Sequence, residues 1–253
     1  MPKILVRADD LGYSEAVNYG LAKAVKDGII RSVGVMPNMP EAAHGIALLE
    51  GVEVCYGQHT NICTGRPLTD PALIPSLCQP NGEFKTAKEY RDAFAVKADF
   101  VVLDEVLLEI EAQYQRFVEL TGCQPSYFEG HAVPSPTFFK ALEMVAQQHG
   151  LDYLGMNFNG PTKFRNTLLY SSMDSMNKDY QPFESLKRAA LQDYGPDGCC
   201  MFVCHPGYVD DFLLRTSFIT VQRAQEVAMC CDPATKQWLA EHDIQVVTYD
   251  ELP

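Results

Sequence analysis

Two adjacent carboxylates, Asp9 and Asp10, close the first apolar run of the chain, Ile4-Leu5-Val6, in the segment Arg7-Ala8-Asp9-Asp10-Leu11-Gly12. A β-branched run of this kind reads as a buried strand. Carboxylates at its C-terminal end stand where open α/β sheets and barrels keep their chemistry. Two acids this close are costly when both are ionised and unpaired. Either a cation sits between them, or their pKa values split and one becomes a base. The same residues also read as an Asp-Asp-Leu-Gly turn with an aspartate capping the next helix. Three of the six histidines occupy corresponding places at the ends of strand candidates: His59, His131, and His205, which precedes Pro206-Gly207-Tyr208. In a parallel barrel the C-terminal strand ends share one rim, so Asp9, Asp10, His59, His131 and His205 would converge. Imidazole plus carboxylate suits a borderline divalent ion, and two histidines with one aspartate leave room for the water that a hydrolytic site needs. His44, His149 and His242 lack this placement and read as structural or surface residues. The Pro-Gly turn after His205 would aim its ring inward, with Asp210 and Asp211 either orienting it or solvated. Arg215, and Arg223 with Glu226 at i and i+3, read as surface ion pairs.

These residues need a frame to hold them. Short apolar runs at 4–8, 32–36, 53–59, 126–131, 152–155, 201–205 and 244–249 predict strands. Between them, helical patterns cover 14–27, 39–49, 104–121, 136–149, 184–194, 217–229 and 233–241. In the third helix Val106, Ile110, Tyr114 and Phe117 recur at helical spacing behind Asp104, an expected N-cap; the fourth opens with Ser135-Pro136. The alternation predicts a mainly parallel sheet with right-handed crossovers, either closed into an irregular barrel or open and doubly wound. Segments 60–100 and 156–183 interrupt the rhythm as loop insertions, the first a candidate lid. Asn157, Asn159, Asn166 and Asn177 lie among aromatics in the second, a composition that suits a hydroxyl-rich neutral ligand.

A chain of 253 residues fits one α/β domain of barrel size as well as two small domains, and its 47% hydrophobic content is enough for a large core. A net charge of −13 argues against nucleic acid or an anionic membrane as partner. The nine cysteines form no C-x-x-C pair and are expected to be free thiols, mostly buried. With no signal-type segment and no long apolar run, a cytoplasmic location is expected, with a homodimer as the default assembly.

With these residues in hand, the chain resembles the YdjC-like family, whose best-known activity is deacetylation of chitooligosaccharides on a distorted, polysaccharide-deacetylase-like (β/α) barrel of about seven parallel strands. Ala8-Asp9-Asp10-Leu11-Gly12-Tyr13-Ser14 is similar to its opening motif, Gly57-Gln58-His59-Thr60-Asn61-Ile62 to its second, Glu129-Gly130-His131 to its third and His205-Pro206-Gly207-Tyr208 to its fourth. Arg215, Ser217, Arg223 and Glu226 are similar to its closing segment. The resemblance implies that Asp10, His59 and His131 bind one divalent metal ion, zinc or magnesium. Asp9 would be the general base, and His205 an acid or transition-state stabiliser. Asn61, Tyr208 and Arg215 would contact a carbohydrate substrate. The family usually carries further histidines after the third motif; Val133 and Ser135 stand there instead, and Glu129 stands where aspartate is common. That departure leaves two alternatives open: a metal-dependent hydrolase of another amide or ester, and a non-catalytic carbohydrate-binding protein on the same scaffold.

Overall fold

The computed structural model describes residues 2–155, 157 and 160–253; Asn159, one of the amides noted above, lies outside them. The first half runs β1 (Lys3–Leu11), α1 (Glu15–Lys26), β2 (Ser32–Val35), α2 (Ala42–Leu48), β3 (Cys55–Thr60), α3 (Ala87–Ala95), α4 (Leu103–Thr121), β4 (Phe128–Gly130) and α5 (Pro136–His149). The second half adds β5 (Thr162–Phe164), β6 (Thr167–Ser172), α6 (Pro182–Leu191), β7 (Gly198–Cys204), α7 (Asp211–Thr216), α8 (Val221–Cys231), α9 (Pro233–Glu241) and β8 (Gln245–Val247). One eight-stranded sheet has the order β4-β3-β2-β1-β7-β6-β5, with β8 paired to the start of β1. Every pairing is parallel except the β5–β6 hairpin.

The sheet curls into a partly closed barrel whose central strands are buried on both faces. Along β1, Ile4, Val6 and Ala8 point outward and join a core with helix residues such as Leu21, Leu186 and Leu239. Leu5 points inward and packs with Cys55, Tyr127, Phe164, Met201, Val247 and Tyr249, which come from strands spread across the sheet and the segments flanking them. Strands buried on both sides show no polar alternation, which is why they read as continuous apolar runs.

The helices follow local signals. Ser14 caps α1 by accepting from Val17 N–H, and Ser135 caps α5 ahead of Pro136. Gly122 and Gly150 end α4 and α5 in the left-handed conformation. Helix α4 starts one residue before Asp104, so Asp104 sits in the first turn and Val102 takes the cap position without a side-chain bond. The strand expected at 152–155 reduces to a single bridge between Tyr153 and Phe128. The second half supplies the β5–β6 hairpin instead. Helix α3 falls within insertion 60–100, and α7 lies between the strand expected at 201–205 and the helix expected at 217–229.

Insertion 60–100 is packed rather than free. Ile62, Ile74, Leu77, Phe84 and Tyr90 form a second core with Val106 and Ile110 of α4 and Phe138 of α5. Buried Glu109 of α4 accepts from the backbone N–H groups of Leu68 and Thr69, and Glu105 from that of Ser76. All nine cysteines are free. Among the described residues, no helix is long and apolar enough to cross a membrane.

Candidate active site

Because β1, β3, β4 and β7 run parallel, their C-terminal ends share one rim. Asp9 and Asp10 end β1, His59 lies near the end of β3, and His131 and His205 immediately follow β4 and β7. Neighbouring residues of a regular strand face opposite ways. Asp9 follows the inward series Leu5, Arg7, so Asp10 would face the helices. Instead Asp10 has φ +78°, and the β1–β2 register shifts between Ala8 and Leu11. This left-handed bulge swings the second carboxylate into the same space as the first; aspartate is among the few residues that tolerate it.

Each of the two acids has its own arginine. Arg7 Nη2 donates to Asp9 Oδ2 at 2.5 Å, and Arg223 Nη2 donates to Asp10 Oδ2 at 2.7 Å. The Arg223 and Glu226 assignment therefore needs correction. Both are buried on the inner stripe of α8 with Val227 and Cys230, and neither is a surface ion pair. Arg223 also donates through Nε to the Ile219 carbonyl and stacks its guanidinium over Tyr13.

Asp10 Oδ1 lies 3.4 Å from His59 Nε2 and 3.3 Å from His131 Nδ1, and the two imidazole nitrogens are 2.8 Å apart. Ligand bonds of about 2.0–2.1 Å at tetrahedral angles put donor atoms about 3.3 Å apart, so this triangle has the size of a shared metal coordination face. Asp10 Oδ1 has no hydrogen-bond partner, nor do Asp9 Oδ1, His205 Nδ1 and Arg223 Nη1, all buried. Orphaned groups in one buried place fit a site that a cation and a polar reactant complete.

The electrostatics favour a cation at the triangle. Burial works to raise the Asp10 pKa, but Arg223, His131 and His59 outweigh it and hold the carboxyl well below its usual range. Burial likewise opposes charge on His131, yet Asp10 lifts it to about 9. His59 is raised against its own burial by Glu129, Asp9 and Asp10. Burial alone dominates at His205, which falls to about 4 and is neutral at pH 7.

His205 is fixed through its backbone. Its N–H donates to Glu226 Oε2 at 2.6 Å, and Glu226 Oε1 accepts from Tyr180 at 2.7 Å. The loop beyond it is seated on α1, where a Cβ at Gly20 would lie 2.6 Å from Gly207 backbone atoms. Asp210 and Asp211 serve α7 rather than the His205 ring. Asp210 caps the helix and also accepts from Ala16 N–H, and Asp211 pairs with Arg215 at 2.9 Å.

Of the three expected substrate contacts, Tyr208 is 39% exposed on the segment just past His205. Arg215 is exposed and paired with Asp211, as its spacing predicts for a surface pair. Asn61 is fully buried and its amide is committed: it donates to Asn38 and the Thr64 carbonyl and accepts from Cys63 and Thr64 N–H. Val133 packs in the second core, and Ser135 caps α5 while donating to Asp99 of the insertion. The changed residues after the third motif thus hold the scaffold, leaving the triangle intact.

Arg7 and Tyr180 complete the site without having been read as part of it. Arg7 was legible, since it stands two residues before Asp9 in a strand and so shares its face. Arg223 and Glu226 were legible by the same means, at helical spacing from Val227 and Cys230. Tyr180 reaches the site from a loop and carried no such signal.

The family described as YdjC-like protein matches residues 3–241. The chain is 31% identical over 259 residues to a carbohydrate deacetylase of Geobacillus stearothermophilus, covering 100% of this chain and 99% of that one. It is 28% identical over 257 residues to a chitooligosaccharide deacetylase of Proteus mirabilis, covering 98% of each. Among solved structures, an Enterococcus faecalis protein provisionally assigned to cellobiose-phosphate cleavage superposes with a TM-score of 0.82 at 21% identity, over 99% of this chain and 98% of that one. A family 4 acetyl xylan esterase from Clostridium thermocellum, in complex with a cobalt ion, gives 0.51 at 13% identity over 99% and 89%. The fold is shared with these two structures.

Proposed function

Because the chain belongs to the YdjC-like protein family, we propose that it is a metal-dependent hydrolase removing the N-acetyl group from an amino sugar or short chitooligosaccharide. One observation carries this reading: a carboxylate oxygen with no partner, Asp9 Oδ1, stands beside the Asp10–His59–His131 triangle. Binding a sugar does not require a base next to a metal-ligand set; hydrolysis does.

Asp10, His59 and His131 would hold the ion, with two imidazoles favouring zinc over magnesium. When bound, it would polarise the acetamide carbonyl and acidify a water. Asp9, its Oδ2 held by Arg7, would act as base on the attacking water through its free Oδ1. Arg223 keeps Asp10 turned toward the histidines. His205, neutral and buried at the rim, would donate a hydrogen bond to the developing tetrahedral oxygen, and the proton taken up by Asp9 would go on to the departing amine. Tyr208 offers an aromatic surface to the sugar ring. Asn61 and Arg215 act through the turn and the helix they hold.

The test is acetate release from diacetylchitobiose by metal-replete protein, with and without chelator. Release that chelation abolishes, and that Asp9→Asn lowers by 100-fold or more without loss of bound metal, is the expected result. Asp9→Asn turning over at the wild-type rate would remove Asp9 as base. Bound metal without acetate release would point to a different amide or ester.

A further inference from the structure

Glu129 stands between the two halves of the site and has no part in the reaction steps above. Its Oε1 meets Nδ1 of His59, and its Oε2 lies 3.5 Å from Arg7 Nη2. The same arginine nitrogen donates to Asp9 Oδ2. A continuous polar chain therefore runs Asp9–Arg7–Glu129–His59, with every member buried. Arg7 is fixed from behind as well: Nη1 donates to the Tyr249 hydroxyl at 3.2 Å, and the guanidinium lies over the Tyr127 ring.

Asp9, His59 and Glu129 bring one donor atom each within 4.8 Å of one another, which by donor type alone would suit a second cation. The Arg7 guanidinium already supplies positive charge to both carboxylates, so the cluster is a closed ion-pair network. What it leaves free is directional. His59 presents Nε2 to Asp10 and His131, and its other nitrogen is held by Glu129. A carboxylate on the far nitrogen of a ligating imidazole fixes its tautomer and ring plane.

We propose that Glu129 is a positioning residue that, by bridging Arg7 and His59, holds the metal-ligand imidazole and the carboxylate base in one fixed relation. The inference rests on the reading that the triangle binds a divalent ion. It calls for a charged acceptor on both sides, because both neighbours are donors. It also calls for the length of glutamate, which lets one side chain from β4 meet Arg7 and His59 together.

The experiment uses cobalt(II) as probe on the full chain. Affinity is measured by competition with a chelator, and the ligand field by visible absorption, for wild type, Glu129→Gln and Glu129→Asp. Glu129→Gln is expected to bind cobalt about 10- to 100-fold more weakly, with a changed spectrum. Glu129→Asp, which keeps the charge but shortens the reach, is expected to fall between, and it carries the test if the glutamine variant does not fold. Both variants binding within twofold of wild type with its spectrum would overturn the proposal, whatever the turnover. Wild type that binds cobalt but releases no acetate would overturn the deacetylase reading and leave Glu129 where it stands. Wild type that binds no cobalt would overturn both.

Discussion

Arg223 is the residue on which the charge balance of the site turns. It is buried against Asp10, so removing it strands a carboxylate in a dry setting. Arg223→Met is expected to lower stability by about 3–5 kcal/mol in chelator. A divalent ion should recover part of that, because it supplies the missing positive charge. Thermal melts of variant and wild type with and without cobalt check this, and equal melts in chelator would contradict it. Gly34 is a quieter case. A Cβ there would lie 2.7 Å from Asp9 Oδ1 and 3.2 Å from His59 Cβ. Gly34→Ala is therefore expected to cut turnover about 100-fold through a displaced base, and acetate release at saturating substrate checks it. The acidic and imidazole residues of the site were legible because each ends an apolar run. Arg7 was not singled out and Arg223 reads as a surface pair, because a charged residue on an inner face shows its burial only once its neighbours' periodicity is followed.

At the scale of elements, α4 holds insertion 60–100 with its side chains. Glu109 accepts two backbone N–H groups from the insertion and one from the Gln113 amide. Glu109→Ala is expected to loosen the segment by about 1–3 kcal/mol, seen as faster hydrogen exchange across residues 66–86 with the exchange of β1 and β7 unchanged. Uniform destabilisation of all elements would contradict it. The strands and long helices were readable from periodicity and caps. The insertion was not, because its core is contributed by apolar residues scattered among prolines and glycines and completed by α4 and α5. Nothing local in 152–155 distinguished a strand from the single bridge it makes, and the antiparallel β5–β6 hairpin broke the alternation on which the reading relied.

Across the whole molecule, α8 ties strand ends together. Arg223 reaches the end of β1, and Glu226 reaches the residue after β7 and the loop before α6. Burial pushes the Glu226 carboxyl up to about 7. The folded chain then binds more protons than the unfolded one between about pH 4.5 and 7, so this group's contribution falls as pH rises through that window, by on the order of 3 kcal/mol. In Glu226→Gln the amide oxygen still accepts from His205 N–H and the Tyr180 hydroxyl can turn to accept, so that loss disappears. Urea denaturation at pH 5 and pH 8 should show wild type losing ground to the variant at the higher pH; parallel profiles would contradict it. Finally, the left-handed backbone at Asp10 means that the site is not a set of side chains that could be transplanted by sequence alone. Copied onto a regular strand, Asp9-Asp10 would deliver one carboxylate to the rim and the other into the greasy layer beneath the helices, beside the counterparts of Val6 and Ala8. The kink is as much a part of the reactive inventory as the acids, and a designer who smoothed it away would have an apolar wall with a buried charge in it.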